Sequence, residues 1–401
     1  MSGLRVAVIT GSRAEYGLLY WVIRALSADP HFDVRVIATG SHLAPEFGMT
    51  VHDIERDGVR VDERVEMLVA SDTPGGVARS MALGLIGLSD ALARQAPDLV
   101  LLLGDRFETL AAAQACLLAR IPVAHLAGGD VTEGALDDAM RHAITKLSHL
   151  HLVSNEESAR RVVQMGELPQ RVHVVGNPGL DAFREQPLMA RPAVQEALGR
   201  PLAERNVLVV FHPETLPAGS DTRPLADSAA AATGALIGAL EGLSQGAAFW
   251  VVMPNADEGG RAIKDRWRQW AAGRTDVCLI ESVPRAVFLG LMAQCELMVG
   301  NSSSALGEAP SLKVPAVDIG RRQASRLAAA NVIRCEATCA AIAAAMAQAL
   351  ALDCSGVVNP YGDGMTGPRV AALLKAVERP RELLAKPFHW VAGPPPQEAS
   401  C

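Results

Sequence analysis

Short apolar runs alternate along the chain with longer segments in which apolar residues recur at the helical period. Several runs are nearly continuous valine, isoleucine and leucine, which is typical of parallel strands that are covered on both faces. This alternation predicts an α/β fold built from doubly wound βαβ units. We predict strands at 4–10, 33–39, 98–103, 121–126, 150–154, 171–175, 206–211, 248–253, 277–281, 296–299 and 314–319. We predict helices at 15–28, 75–95, 106–119, 135–149, 155–166 and 323–330.

The number of strands predicts two Rossmann-like domains, because one sheet of ordinary size does not hold them all. The boundary is expected at Gly176-Asn177-Pro178-Gly179, where a strand gives way to residues that permit or force a turn. We therefore predict an N-terminal domain at 1–178 and a C-terminal domain at 179–365. A last helix at 366–390 is expected to pack back toward the N-terminal domain, and 391–401 to form a flexible tail.

Composition and charge narrow the range of functions. The 401 residues include 44 acidic and 37 basic ones, a net charge of −7, so we expect neither a nucleic-acid partner nor a membrane partner. Aromatic residues make up only 4%, too few for a base-stacking platform. No uninterrupted apolar run reaches the ~18 residues of a membrane span, and no signal peptide precedes the first strand. These features predict a cytoplasmic protein.

Cysteine usage indicates a reducing compartment. The seven cysteines form no Cys-x-x-Cys pair and no cluster with histidine. Cys335 and Cys339 are four residues apart, but a structural zinc ion needs four ligands. The cysteines therefore give no indication of a metal site, and we expect no metal ion and no cofactor.

The residues after each strand are the candidates for a site, because ligands in open α/β sheets bind beyond the carboxyl ends of the strands. Arg13, after the first strand, could hold a phosphate together with nearby N–H groups, or could be a solvated side chain beside a glycine turn. Asp105 could cap a helix or serve as a site carboxylate. Neither a Walker loop nor a Gly-x-Gly-x-x-Gly motif is present, so ATP hydrolysis and ordinary NAD binding lose support.

The helix predicted at 135–149 carries an ordered polar stripe. Its apolar face is predicted to consist of Met140, Ala143, Ile144 and Leu147, and its polar face of Asp138, His142, Thr145 and His149. Asp137 stands one turn before Arg141, within reach of an ion pair.

Strand ends in the second half carry groups suited to an anion. Hydroxyl groups at 302–304 follow one strand, Arg321 and Arg322 follow another, and His212 and Asn255 end two more. Along the whole chain, six of the eleven predicted strand ends carry groups suited to binding a ligand. This is more than helix capping explains.

At these residues the chain resembles the UDP-N-acetylglucosamine 2-epimerase family, in its hydrolysing branch from sialic and legionaminic acid pathways. The matching motifs run in order from residue 10 to residue 323, so the resemblance covers nearly the whole chain. The stretch 137–146 is the most specific to the hydrolysing branch. The motifs are Thr10–Gly17, Gly104–Glu108, Gly128-Gly129-Asp130, Asp137–Lys146, Phe211–Thr215, Gly300–Ser304 and Gly320–Gln323.

The resemblance implies a glycosyltransferase-B-like fold, with two Rossmann-like domains facing each other across a crevice and the nucleotide on the C-terminal one. It implies a homodimer or homotetramer that binds a UDP-sugar. The implied catalytic residues are Asp105, Asp130, Asp137 and His212. The implied substrate-binding residues are Arg13, His42, Arg106, Arg141, Asn255, Ser302, Ser303, Glu308 and Arg322.

One position departs from the family pattern. Many relatives have a carboxylate two residues after the histidine that ends the fourth predicted strand, whereas this chain has Ala127. Asp130 could supply the missing charge.

The implied reaction is anti elimination of UDP across C1 and C2 to a glycal, followed by hydration to the free 2-epimeric sugar. The substrate could be UDP-N-acetylglucosamine or UDP-2,4-diacetamido-2,4,6-trideoxyglucose. Two other functions stay open at this point: a retaining glycosyltransferase of the same fold, and a nucleotide-sugar sensor without turnover.

Overall fold

The computed structural model describes residues 3–71, 73–132, 136–214, 224–243, 246–254, 260–281 and 283–391. In this part of the chain, thirteen strands form two sheets in which every pair of neighbours is parallel. The strands of the first sheet are β1 (Leu4–Thr10), β2 (Phe32–Thr39), β3 (Glu63–Val65), β4 (Leu99–Leu103), β5 (Val123–Leu126), β6 (Leu150–Val153) and β7 (Val172–Val174). Those of the second are β8 (Arg205–Val210), β9 (Ala247–Val252), β10 (Val277–Ile280), β11 (Leu297–Gly300), β12 (Ala316–Ile319) and β13 (Val332–Cys335).

Helices lie between consecutive strands, with the exception of β12 and β13, since parallel pairing needs a crossover connection. The helices before β8 are α1 (Arg13–Ser27), α2 (Val51–Arg56), α3 (Pro74–Gln95), α4 (Phe107–Ala119), α5 (Leu136–Leu147), α6 (Glu156–Gln164), α7 (Asp181–Glu185) and α8 (Arg191–Leu198). Those after it are α9 (Leu225–Glu241), α10 (Gly260–Ala271), α11 (Arg285–Met292), α12 (Ser304–Gly307), α13 (Ala309–Leu312), α14 (Cys339–Leu350) and α15 (Thr366–Lys375).

The strand order places the site-bearing strands next to one another. The first sheet runs β3-β2-β1-β4-β5-β6-β7 and the second runs β10-β9-β8-β11-β12-β13. Strands β1, β4 and β5 are adjacent, and so are β8, β11 and β12, so their carboxyl ends bring the predicted motifs together within each sheet. The two-sheet α/β architecture predicted from the sequence is confirmed.

Each sheet is covered on both faces, which explains its continuous apolar strands. All five residues of β4 are buried. One face of the first sheet packs on α1 and α15, and the other packs on α3 and α4. Helices α9, α10 and α14 cover one face of the second sheet, while α8 and α11 cover the other. Full burial of a large apolar side chain contributes about 1.5–3 kcal/mol, so these layers dominate the stability of each sheet.

The chain divides into two units by its internal contacts. The first contains residues 1–130, 139–178 and 364–401, and the second contains 131–138 and 179–363. The helix α15 therefore groups with the N-terminal unit, through Val370 and Leu374 in its core. The segment 131–138, which includes Asp137, groups with the second unit. The predicted domains are continuous stretches of the chain, so they do not include this division.

The structure differs from the predicted elements in three ways. Strands β3 and β13 were not predicted, because they are short and carry exposed or half-buried polar residues. The helix predicted at 323–330 is absent, because the Arg334 guanidinium binds the carbonyl groups of Gln323 and Arg326 that a helix would use. The last helix ends at Lys375, five residues before Pro380, which cannot continue a helix. The predicted tail lies outside the described residues except for Val391.

One helix in the described part of the chain, at Gly75–Gln95 within α3, is long and apolar enough to cross a membrane by length and composition alone. Its Leu88, Ala91 and Leu92 side chains are buried against the first sheet. This packing accounts for the apolar residues on the buried side of the helix.

Candidate active site

The loop after β1 is held from inside the N-terminal unit. The Glu15 carboxylate accepts a hydrogen bond from the Gly11 N–H at 2.8 Å and another from the Thr109 hydroxyl at 2.9 Å. Burial raises the pKa of the Glu15 carboxyl to about 7, and the nearby Glu108 carboxylate adds to the rise. Arg13 stands on this supported loop with its side chain 59% exposed, and its nearest carboxylate is Asp53 at 3.6 Å.

The sequence reasoning missed this buried pair of glutamates. Glu108 is 1% exposed and accepts two hydrogen bonds from Arg106, at 3.1 and 3.2 Å. Arg106, predicted to bind substrate, is thereby fixed at the start of α4 with 42% of its side chain exposed. The only signal in the sequence was the presence of both acids inside the strand-end motifs.

His42 lies in the interior of the N-terminal unit. Its side chain is fully buried, with Nε2 3.1 Å from the Thr10 hydroxyl and Nδ1 2.8 Å from the Thr50 hydroxyl. Burial lowers the pKa of His42 to about 4. This placement favours a role in supporting the end of β1, and it does not support the direct substrate contact predicted from the sequence.

Asp105 follows β4 in a backbone turn that His125 supports. The His125 Nε2 lies 2.8 Å from the Gly104 carbonyl oxygen, so this nitrogen carries the proton and donates it. The Nδ1 then accepts from the Thr145 hydroxyl at 3.2 Å. Burial lowers the pKa of His125 to about 3, which keeps the ring neutral. A neutral ring and a fixed tautomer hold the turn that presents Asp105.

Arg141 joins two of the predicted acids. Its guanidinium forms an ion pair with the Asp105 carboxylate and donates to the Asp130 carbonyl oxygen at 2.8 Å. The Arg141 side chain is 6% exposed and that of Asp105 is 24% exposed. Asp105, Asp130 and Arg141 are therefore brought together, as the site prediction requires.

The Asp130 carboxylate is held by hydroxyl groups. Its Oδ1 accepts from Ser154 at 2.9 Å and from Ser158 at 2.5 Å. Ala127, the position without a carboxylate, has a backbone φ of +61°, in the left-handed region. The two serines fix Asp130, and sequence reasoning did not identify either of them.

Asp137 lies on the exposed side of the first turn of α5. The neighbouring Asp138 carboxylate accepts a hydrogen bond from the Thr132 N–H at 2.7 Å. Asp137 stands one turn before Arg141 on the same helix.

The carboxyl ends of β8, β11 and β12 meet at Asn301 in the C-terminal unit. The Asn301 side chain accepts from the His212 N–H at 2.7 Å and donates to the His212 carbonyl oxygen at 2.8 Å. The Asn301 carbonyl oxygen accepts from Arg322 and from Gln323, each at 3.2 Å. Two predicted site residues, His212 and Arg322, therefore share one buried asparagine.

The turn after β12 depends on Glu214 and a glycine. The Glu214 carboxylate accepts from the backbone N–H groups of Arg321 and Arg322, at 2.8 and 3.3 Å. Gly320 has a φ of +81°, and a Cβ there would lie 2.4 Å from a Glu214 oxygen. Only glycine fits this turn, which presents the Arg322 side chain.

The serine cluster after β11 is a short structure. Ser302 is 8% exposed and accepts from the Ser304 N–H at 3.3 Å, while Ser303 is exposed. The helix that follows, α12, has only four residues, so its dipole is weak and any anion binding depends on the hydroxyl and N–H groups themselves.

Glu308 lies at the end of α12 and is 9% exposed. Arg285, a residue that sequence reasoning missed, donates to the Glu308 carboxylate at 2.9 Å and to the Gly179 carbonyl oxygen at 2.9 Å. This ion pair fixes the orientation of the Glu308 side chain.

A cavity of about 610 Å³ opens beside His212 at the carboxyl ends of β8, β12 and β13. Charged groups on its wall include Glu214, Arg321 and Arg334, and apolar side chains supply much of the rest. This volume is typical of a small-molecule site. Asn255, which was predicted to bind substrate, lies outside the described residues.

Among the residues that the structure describes, no group of three or more His, Cys, Asp or Glu side chains is placed to hold a metal ion. The candidate residues described in the two units are carboxylates, arginines, serines and one histidine, His212. Such groups transfer protons and stabilise a departing phosphate.

The chain is similar to known proteins of one family. The sequence profile of the family described as UDP-N-acetylglucosamine 2-epimerase matches residues 24–375. The chain is 34% identical over 84% of its length to the GDP/UDP-N,N'-diacetylbacillosamine 2-epimerase (hydrolyzing) of Campylobacter jejuni, 85% of which is covered. It is 33% identical over 95% of its length to the UDP-N,N'-diacetylbacillosamine 2-epimerase (hydrolyzing) of Legionella pneumophila, 98% of which is covered.

Solved structures share the fold. The crystal structure of UDP-GlcNAc 2-epimerase from Neisseria meningitidis, bound to UDP-GlcNAc, matches with a TM-score of 0.78 at 20% identity. The match covers 92% of this chain and 99% of that one.

Proposed function

Because the chain belongs to the UDP-N-acetylglucosamine 2-epimerase family, we propose that it converts a UDP-linked 2-acetamido sugar and water into UDP and the free 2-epimeric sugar. The observation that carries this proposal is the similarity to two relatives named as hydrolysing 2-epimerases, at 33 and 34% identity over most of the chain. The sugar-transfer and sensor alternatives have no comparable support.

The proposed reaction has two stages. In the first, a base removes the proton on C2 while the bond between C1 and the diphosphate oxygen breaks, leaving a glycal with a C1=C2 double bond. In the second, water adds its oxygen to C1 and gives up one proton to a base, while an acid delivers a proton to C2 on the face opposite to the one that lost its proton. The products are UDP and the sugar inverted at C2.

We assign proton transfer to the acids and the histidine of the site. Asp105 and Asp130 both contact Arg141. These two residues and Asp137 supply the carboxylates, and His212 supplies an imidazole. Each group must come within hydrogen-bond reach of the sugar to act. Their division into acid and base follows from which face of C2 each one meets in the bound complex.

We assign the departing diphosphate and the uridine to the remaining predicted residues. Arg322, Ser302 and Ser303 lie at the ends of β11 and β12, where His212 is also anchored. Arg13 stands on a loop fixed by Glu15, and Glu308 offers an acceptor held by Arg285. Preorganised donors of this kind stabilise charge that develops on the leaving group.

The two relatives are named for GDP/UDP-N,N'-diacetylbacillosamine and for UDP-N,N'-diacetylbacillosamine. We therefore propose the matching UDP-2,4-diacetamido-2,4,6-trideoxyglucose as the first candidate substrate and UDP-N-acetylglucosamine as the second. The test is a side-by-side assay of both UDP-sugars without an acceptor. We expect UDP and free 2-epimeric sugar, with the larger kcat/KM for the diacetamido substrate. A larger kcat/KM for UDP-N-acetylglucosamine would reverse the substrate assignment, and absence of free sugar with both would contradict the proposed reaction.

The proposal extends to a homodimer or homotetramer. Four large apolar side chains are exposed on the packed helices α3 and α4: Leu83, Ile86, Leu117 and Leu118, at 46, 63, 48 and 74%. Exposed apolar side chains on two neighbouring helices support burial against a second copy of the chain.

A further inference from the structure

Asn301 has no assigned role in the reaction proposed above. It follows β11 directly, its side chain is fully buried, and it stands beside the serines proposed to bind the diphosphate. The preceding Gly300 has a φ of +148°, and a Cβ there would lie 1.9 Å from the Val210 carbonyl oxygen. The backbone of β8 therefore runs in close contact with this turn, which brings Asn301 against His212.

The side chain of Asn301 pairs with both backbone groups of His212. It accepts from the N–H at 2.7 Å and donates to the carbonyl oxygen at 2.8 Å. This pairing fixes the peptide groups on either side of the His212 Cα, and so it fixes the direction in which the imidazole leaves the chain. A single hydrogen bond would leave a rotation that two bonds remove.

The backbone of Asn301 serves a separate group. Its carbonyl oxygen accepts from the Arg322 guanidinium and from the Gln323 amide, each at 3.2 Å. Because these bonds involve the main chain, they survive a change of side chain at position 301. The side chain of Asn301 thus contacts His212, which is assigned to proton transfer. Its carbonyl oxygen independently contacts Arg322, which is assigned to the diphosphate.

We propose that Asn301 is a positioning residue for catalysis: its side chain orients His212, while its carbonyl oxygen orients Arg322. This inference rests on the proposed catalytic role of His212. It predicts that loss of the side chain lowers kcat and leaves UDP affinity nearly unchanged.

The chain contains a matched control at the opposite end of β8. Asn206 is 1% exposed, and its side chain also pairs with both backbone groups of one residue, Ala203: it accepts from the N–H at 3.1 Å and donates to the carbonyl oxygen at 2.7 Å. Six residues of extended chain place it about 20 Å from His212. Loss of the Asn206 side chain therefore removes the same kind of paired backbone bonds far from the site, together with the bond that it accepts from the Trp250 Nε1–H at 3.0 Å and the one that it donates to the Gln294 carbonyl oxygen at 3.5 Å.

The test is a double-mutant cycle on turnover. We expect Asn301→Ala to lower kcat by about tenfold to a hundredfold, the range for a misplaced catalytic group, with the Kd for UDP changed by less than about threefold. In a His212→Ala background the same change should have almost no further effect on kcat, because it acts through the imidazole. Asn206→Ala should leave kcat unchanged in both backgrounds.

Several outcomes would overturn the inference. Equal effects of Asn301→Ala with and without His212, or a parallel loss of UDP affinity, would show general loosening of the site. If Asn301→Ala does not fold, Asn301→Asp, which keeps an acceptor for the His212 N–H, carries the same cycle. Unchanged turnover in His212→Ala alone would instead contradict the proposed role of His212, which separates the two failures.

Discussion

Asp105 and His212 are the residues on which proton transfer in the proposed mechanism depends most. We expect Asp105→Asn and His212→Ala each to lower kcat by about 100-fold or more, the usual share of a general acid or base. UDP affinity, measured by calorimetry, should stay nearly constant because neither residue is assigned to the nucleotide.

Asp98→Asn is the control for the aspartate change, since Asp98 is exposed and precedes the opposite end of β4. It should leave both kcat and UDP affinity as in the wild type. Loss of UDP binding in Asp105→Asn or His212→Ala would show that these residues bind the nucleotide.

At the residue scale, the sequence identified the charged groups but not their surroundings. Asp105, Asp130 and Arg141 were predicted, and the structure brings them together. Nothing in the spacing showed that His42 is fully buried, or that Glu15 and Glu108 share one interior. Burial depends on which distant elements pack around a side chain, and a single sequence records that only indirectly.

At the element scale, α5 shows the limit of a hydrophobic pattern. The face predicted to be apolar included Ala143, which is exposed, whereas Arg141 and Thr145, both polar, are buried. The buried polar groups have partners: Thr145 with His125, and Arg141 with Asp105. The helix is turned so that it satisfies these bonds, and a pattern of apolar residues does not encode that.

His125 links β4, β5 and α5, and its titration should weaken the fold in acid. Its pKa in the folded chain is about 3, against an ordinary value of 6.5. As pH falls below 6.5, the unfolded chain takes up a proton that the folded chain rejects, so the free energy of unfolding decreases. The loss from this group amounts to about 1.4 kcal/mol at pH 5.5.

The measurement is urea unfolding of the wild type and His125→Gln at pH 7 and pH 5.5. We expect the variant to lose about 1.3 kcal/mol less than the wild type between these two pH values, because a small part of the loss is already present at pH 7. His52→Gln, which alters an exposed histidine, should leave the wild-type loss unchanged. An equal loss of unfolding free energy in the wild type and His125→Gln would mean that folding does not lower the pKa of His125.

At the scale of the whole molecule, the fold was the most predictable feature. Continuous apolar runs such as Leu99–Leu103 can be buried only in sheets covered on both faces, and their number required two sheets. The grouping of 131–138 with the second unit could not be predicted, because contacts between segments far apart in the chain define it.

The proposed assembly is tested by introducing negative charge among the exposed apolar side chains of α3. We expect Leu83→Asp combined with Ile86→Asp to shift the protein to monomers, because two carboxylates cannot be buried against apolar side chains without a large cost. Light scattering coupled to size exclusion measures the mass. Val358→Asp, at a residue that is 82% exposed in the other unit, is the control and should keep the wild-type mass. An unchanged mass in the double variant would place the interface elsewhere.

The fate of the hydrogen on C2 tests the proposed elimination and hydration most directly. The protein is incubated with the UDP-sugar in deuterium oxide, and the products are followed by proton NMR. Elimination discards the original C2 proton and hydration takes a new one from solvent, so we predict UDP and a free 2-epimeric sugar with deuterium at C2. A free sugar that keeps its original C2 hydrogen would contradict the glycal route.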